Sequence, residues 1–384
     1  MKILIVSTSS GSRGGGELSL LYLARALAEL GHEVLLWCSR HSRMDELAAA
    51  FAPIGKVHRS AYTNTYDRRG RSLASWLDGT TATRVAVEWR ALAPDVIHLN
   101  KQNLEDGLDL VAAASQSGLP ALCMIHITQS ARYLKAALAG PRDFVSRRVL
   151  RSFPGLLVTT PESRVRDLQE FLGAGPRVRT VPNGVPIPDA AKSAAARAPK
   201  RHELGIAEDE LLGIAVGRMV PQKRPLLFLD TAERLHRTLP QARFLWVGDG
   251  ELSKEWDAWV TARKLDHVIR RLPWQQDAPA LLAAADVFLH VAEFEGLAFA
   301  ILEALAAGLP CAITPNLLAE MSFLDATNSL AMDAADAWFS AVRNPASLRA
   351  IGAAARRLAE EKFSFARMAR DYEVLYRQSL SGTP

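Results

Sequence analysis

Asp286-Val287-Phe288-Leu289-His290-Val291, followed closely by Glu295-Gly296-Leu297-Ala298-Phe299-Ala300-Ile301-Leu302-Glu303, is the stretch whose reading decides the fold. Its first part is a short apolar run, the pattern of a buried strand, and residues 300–307 read as a helix that is apolar nearly all round. Two carboxylates, Glu295 and Glu303, stand at that helix where a core element should carry no charge. Glu303 is expected in packed surroundings, where even an uncharged polar group left unpaired costs about 2–7 kcal/mol. A ligand offering two neighbouring hydroxyls would satisfy it. Gly296 lets backbone come close to such a ligand, and the amides of Leu297 and Ala298 at the helix start would face an anion. The plainer alternative is a helix N-terminus with a stabilising Glu in its first turn and one surface Glu.

The same strand-then-helix pattern runs outward through the chain. Apolar runs at 2–7, 33–38, 96–99, 120–125, 155–159 and 178–181 read as strands, with helices such as 17–30 and 105–117 between them. Strict alternation implies parallel strands with crossover helices. Residues 186–203, rich in Pro and Ala with Ser and charges, break the pattern and read as a linker. Beyond them the alternation restarts at 211–216, 243–247, 268–272, 287–291 and 310–313, with helices such as 226–237 and 278–284. The expectation is an α/β protein of two doubly wound units, 1–185 and 204–364, facing a cleft across their strand carboxyl ends, where such sheets bind ligands. The closing helix, 365–384, is expected to rejoin the first unit.

Bulk properties narrow the function. A chain of 384 residues with 49% hydrophobic residues can bury two ordinary cores. It has no charge-free run long enough to span a bilayer, and Lys2 leads directly into Ile3-Leu4-Ile5-Val6 instead of a signal-peptide pattern. A soluble cytoplasmic protein is expected. Cys38, Cys123 and Cys311 sit in apolar runs and are odd in number, which points to buried reduced thiols. The net charge of +5 favours acidic partners. Much of it falls in residues 128–151, where Arg132, Lys135, Arg142, Arg147, Arg148 and Arg151 are interleaved with apolar side chains. That segment fits an anionic membrane surface or anionic acceptor, or simply a solvated helix face. No module for binding nucleic acid accompanies the charge.

Several constellations carry chemistry. Gly14-Gly15-Gly16-Glu17 follows the first strand and opens a helix, a place for close backbone approach to a phosphate or sugar. It lacks the GxGxxG spacing, and Trp37-Cys38-Ser39-Arg40 ends the second strand without an acid, so a dinucleotide-binding dehydrogenase is disfavoured. Gly217-Arg218 and Lys223 lie just beyond the first strand of the second unit, where a guanidinium and an ammonium together would hold a diphosphate. His126 ends an apolar strand, a position open to a structural or a functional role. His98, inside its strand, reads as structural. Asn183-Gly184 and Gly248-Asp249-Gly250 read as turns. Trp274 either covers a base or packs.

In this order, Gly14-Gly15-Gly16-Glu17, His126, Pro182-Asn183-Gly184-Val185, Gly217-Arg218 with Lys223, Val247-Gly248-Asp249-Gly250, and Glu295 with Glu303 resemble the retaining glycosyltransferases of family four, whose fold is the two-Rossmann GT-B arrangement. The resemblance covers nearly the whole chain. It implies that Arg218 and Lys223 grip the diphosphate of a nucleotide-sugar, with UDP the expected nucleotide, and that Glu303 binds the ribose hydroxyls. It puts Glu295 beside the transferred sugar and His126 beside the reacting centre, so His126 and Glu295 are the candidate catalytic residues. Gly15, Gly16, Gly296, Leu297 and Ala298 would supply further donors to the donor substrate. Neither a metal nor a cofactor is implied, and no Asp-x-Asp follows a strand.

The departures are local. Ala298 stands where Gly or Pro is usual, Val291-Ala292 where Pro-Ser is usual, and Thr314-Pro315-Asn316-Leu317-Leu318 replaces a Gly-Gly pair. The acceptor is expected on the first unit, near residues 128–151 and Tyr62, Tyr66, Arg68, Arg69 and Arg71, and is either lipid-linked at the inner face of the membrane, an anionic glycan or a small hydroxyl compound. Rival readings are a nucleotide-sugar epimerase or hydrolase, and a non-catalytic binding scaffold.

Overall fold

The computed structural model describes residues 1–275, 278–332 and 338–381, and in it the apolar runs become two parallel sheets. The chain divides into two compact units, Met1–Gly184 with Phe365–Pro384, and Val185–Ser364. The first unit contains β1 (Lys2–Ser7), β2 (Glu33–Ser39), β3 (Lys56–Ser60), β4 (Val96–Asn103), β5 (Ala121–Ile127), β6 (Leu156–Thr159) and β7 (Val178–Thr180). Their order across the sheet is β3-β2-β1-β4-β5-β6-β7. The second contains β8 (Leu211–Val216), β9 (Ala242–Val247), β10 (Ile269–Leu272), β11 (Val287–His290), β12 (Cys311–Ile313) and β13 (Ser329–Ala331), in the order β10-β9-β8-β11-β12-β13. In each sheet the order reverses beside the unit's first strand. That reversal opens a crevice beyond the carboxyl ends of β1 and β4, and of β8 and β11.

Burial on both faces explains the continuous apolar runs. In β1, Leu4 and Val6 join a core with Val85, Trp89, Ile97 and Leu99. Ile3 and Ile5 turn to the other face and pack with Leu23, Leu27, Leu36 and Leu122, as the two-residue period of a strand requires. The register sets Ile5 opposite Leu36 on one side and His98 on the other. The helix Phe365–Ser381 comes back to this second face and buries Met368, Ala369, Tyr372 and Tyr376 there. Tyr376 Oη is hydrogen-bonded to His98 Nδ1 at 2.7 Å. Burial holds the His98 ring neutral, with its pKa lowered to about 3. The last three residues of the expected closing helix lie outside the described residues.

The stretch read as a linker over 186–203 is largely a helix, Ala190–Leu204. Asp189 caps it by accepting from the Lys192 amide at 2.8 Å. Only Arg201 and Leu204 of this helix are buried, so it has almost no apolar stripe, which is why its composition resembles a linker. Arg201 anchors it instead, donating to the carbonyls of Ala284 at 2.9 Å and Ala207 and Glu210 at 2.5 Å each. It also pairs with Asp286 at 3.1 Å.

Two strands have no counterpart in the sequence reading, β3 and β13, and both are sheet edges. β3 reads Lys-Val-His-Arg-Ser and is mostly half-buried, and β13 spans three residues. An edge strand packs against few neighbours and needs little apolar character. All three cysteines are free and buried, and burial raises the thiols of Cys38 to about 11 and Cys123 to about 12. No described helix is long and apolar enough to cross a membrane.

Candidate active site

In the second unit the carboxyl ends of β8 and β11 bring together three of the residues singled out by sequence. Glu295, just past β11, is 8% exposed. Its Oε1 accepts from Lys223 Nζ and from His290 Nε2, the latter at 3.2 Å. Burial works against ionising this carboxyl. The His290 hydrogen bond and the Lys223 charge outweigh it and bring the pKa down to about 2. Lys223 ends the short turn Pro221–Lys223. Gln222 stitches that turn to the Glu295 loop, its Nε2 donating to the Phe294 carbonyl at 2.9 Å and its own carbonyl accepting from the Glu293 amide at 2.8 Å. The Arg218 side chain is exposed and has no ion-pair partner among the described residues. One candidate diphosphate cation is therefore tied to Glu295 and the other faces solvent.

Glycine is required where the loops after β8 and β9 meet. Gly248 has φ +132°, and a Cβ there would lie 2.3 Å from the Gly217 carbonyl oxygen. The indole of Trp246 secures that same carbonyl from the strand side at 2.9 Å. Beyond β11, Ala298 is the N-terminal flank of the helix Phe299–Ala306, with Leu297 buried and Gly296 half-buried. Glu303, like Ala300, is half-buried on this mostly buried helix, more open than expected, because it is the helix's one polar position. Asn316, in the segment that departs from the Gly-Gly pattern, donates to the Glu293 carbonyl at 2.6 Å and braces the Glu295 loop. Trp274 is half exposed, and its amide donates to Asp249 Oδ2 at 2.9 Å.

In the first unit Gly14 precedes the helix Gly15–Glu29. A Cβ on Gly16 would lie 2.2 Å from Gln102 Oε1, so a larger residue there would have to displace the Gln102 side chain. Glu17, buried in the first turn, accepts from Ser9 Oγ and from Gln102 Nε2 at 3.0 Å. Its Oε2 lies 2.6 Å from the position of a Gly14 Cβ, so the helix start already faces a carboxylate of its own. His126, at the end of β5, is half-buried, with its pKa lowered to about 4 by burial. Its Nε2 meets Asn100 Oδ1 at 2.9 Å, and Asn100 Nδ2 donates to the Gly16 carbonyl at 3.1 Å.

Two groups expected at an acceptor surface serve the fold instead. Tyr62 is buried and donates to Asp109 Oδ1 at 3.0 Å, and Arg68 spans Asp78 at 3.0 Å and Asp109 at 2.6 Å. In the basic segment, Arg142 is buried against Glu105, and Arg147 and Arg151 donate to the carbonyls of Phe171 and Leu172. The exposed residues of that segment include 132–135, 137, 138, Phe144, Arg147, Arg148 and Arg151. Asn100, His290, Gln222 and Asn316 escaped the sequence reading. Asn100, where β4 leaves its pairing with β1, and His290, at the end of β11, share one signal, a polar residue in a buried strand beside the point where strand order reverses.

Known proteins match both units. The family described as Glycosyltransferase Family 4 matches residues 13–187, and Glycosyl transferases group 1 matches residues 211–347. The UDP-Gal:alpha-D-GlcNAc-diphosphoundecaprenol alpha-1,3-galactosyltransferase of Escherichia coli is 34% identical over 141 residues, 36% of each chain. The matched stretch thus spans little more than a third of that relative's length. A D-inositol 3-phosphate glycosyltransferase of Streptosporangium roseum is 27% identical over 79% of this chain and 73% of its own. Among solved structures, HepE of Anabaena in complex with UDP superposes with a TM-score of 0.76 at 18% identity, covering 98% of this chain and all of that one.

Proposed function

The chain belongs to the family-four glycosyltransferases and has the GT-B fold, and we propose that it moves a sugar from UDP to a hydroxyl acceptor with retention of anomeric configuration, in the assembly of a glycan, glycolipid or polysaccharide. The observation that carries this reading is the Lys223–Glu295–His290 cluster beyond β8 and β11, with Arg218 exposed on the same loop as Lys223. Two cations there suit a diphosphate, and Glu295, held ionised, suits the hydroxyls of the sugar. Glu303 is assigned to the ribose, and Gly296, Leu297 and Ala298 to backbone donation toward the donor.

In the proposed reaction the bond between the anomeric carbon and the β-phosphate oxygen breaks. The acceptor oxygen bonds to that carbon on the same face and passes its proton to the departing phosphate. Stabilising the leaving diphosphate is then the main catalytic task, performed by Arg218 and Lys223. The scheme uses no resident metal or cofactor.

For the acceptor we propose a lipid-linked or anionic glycan held by the first unit. The E. coli relative is named for a diphosphoundecaprenol-linked substrate, and HepE is described with UDP, which supports both halves of the reading. Tyr133, Leu134, Leu138 and Phe144 are exposed beside the exposed Arg132 and Lys135, a mixture suited to an anionic bilayer surface. Calorimetric titration with UDP, GDP and ADP tests the donor site, and binding of none of them overturns the proposal. Product mass spectrometry separates transfer from hydrolysis, since a hydrolase releases UDP without an acceptor. Sedimentation with phosphatidylglycerol vesicles tests the membrane part. Binding lost in a Tyr133→Ser/Phe144→Ser double variant supports it, and no binding by the unaltered protein overturns it.

A further inference from the structure

We propose that Asn100 is a positioning residue that fixes the tautomer of His126, keeping its proton on Nε2 and presenting Nδ1 as a hydrogen-bond acceptor to a ligand hydroxyl. This rests on the transferase reading for the identity of the ligand, but not for the geometry.

Asn100 is 2% exposed and ends the parallel pairing of β4 with β1, opposite Ser7. Its amide reaches two elements at once, donating Nδ2–H to the Gly16 carbonyl at 3.1 Å and turning Oδ1 to His126 Nε2 at 2.9 Å. A carbonyl oxygen only accepts, so the amide has one allowed orientation. The flipped amide would set Oδ1 against the Gly16 oxygen, two acceptors face to face in a buried site, and lose that hydrogen bond. With Oδ1 facing the ring, Nε2 must be the nitrogen that carries the proton.

What remains for chemistry is Nδ1. A ring with one proton, already on Nε2, offers only a lone pair there, and among the described residues Nδ1 has no hydrogen-bond partner. A lone pair recognises a group with a proton to give. A sugar or acceptor hydroxyl qualifies, and a phosphate dianion, carrying only lone pairs, does not.

The test reads the tautomer directly. The intact chain is labelled with 15N-histidine, the His126 signals are assigned with His126→Gln, and the two-bond proton–nitrogen pattern is recorded near pH 7. The unaltered protein should show a single Nε2–H tautomer, and an Nδ1–H pattern there overturns the proposal without any variant. Asn100→Leu should release the ring to a mixture of tautomers. Asn100→Asp keeps an oxygen facing Nε2 but loses the donor to Gly16 and adds a charge that favours a second proton at Nδ1, so this variant should shift the ring toward the imidazolium pattern. An unchanged His126 pattern in Asn100→Leu overturns the proposal. With UDP as probe, calorimetric affinity should stay within about twofold in both variants. Transfer should fall about tenfold in kcat in Asn100→Leu, the scale of one misplaced hydrogen bond. Absence of UDP binding in the unaltered protein would count against the transferase reading and leave the tautomer result standing.

Discussion

A carboxylate enclosed as Glu295 is stays ionised with Lys223 and His290 meeting the same oxygen. Removing Lys223 leaves a buried charge with one neighbour fewer, and breaking such a pair from one side costs about 3–5 kcal/mol. Lys223→Ala should therefore lower the denaturant midpoint at pH 7 and weaken UDP binding. Its stability deficit should also depend on pH. The carboxyl lies near 4.5 when unperturbed and at about 2 in the folded protein. Its stabilising contribution is present above pH 4.5 and fades as pH falls through 2. The gap between the two proteins should close along that range. A gap of constant size would show that the ion pair is not its source. At this scale the sequence exposed Lys223 and Glu295, because charges beside glycines at strand ends stand out. It hid His290, which stands in an apolar strand like any packed histidine until its partner across the turn is known.

At the scale of elements, backbone shape constrains the site as firmly as charge does. The loops after β8 and β9 touch through the Gly217 carbonyl and Gly248. Gly248→Ala adds a Cβ at a positive φ and against an oxygen, and the strain should exceed about 1 kcal/mol. Its expected signature is a lower thermal midpoint together with weaker UDP binding, since the displaced loop carries Arg218. A normal midpoint and affinity would show that the loops yield without cost. The helix Ala190–Leu204 is held by two guanidiniums, Arg197 and the more deeply buried Arg201. Arg201→Leu strands the Asp286 carboxylate's contact and three carbonyls, and should cost about 3 kcal/mol in a urea melt. A loss below 1 kcal/mol would return this segment to the linker it resembles. Composition misled here because a helix held by a cation to carbonyl oxygens needs no apolar stripe.

Across the whole molecule, the chain leaves the first unit at residue 184 and re-enters it at 365. Tyr376 secures the return through the His98 ring. Tyr376→Phe leaves a buried ring nitrogen unpaired and should cost about 1–3 kcal/mol. Hydrogen exchange should quicken in β1 and β4 and stay unchanged in β8 and β9, and equal change in both sheets would contradict the local role. The sequence by itself determined the two parallel sheets, because strands buried on both faces must be apolar throughout, and the glycines and charges at strand ends, because few other residues fit there. Tertiary structure alone decided which polar groups meet. Asn100 with His126 and Gly16, Glu295 with Lys223, and Arg201 with Asp286 are joined across large sequence separations, and His290 meets Glu295 only through the fold of the turn between them. Hydrogen bonds and ion pairs act over a few ångströms, so only the folded chain selects the partners.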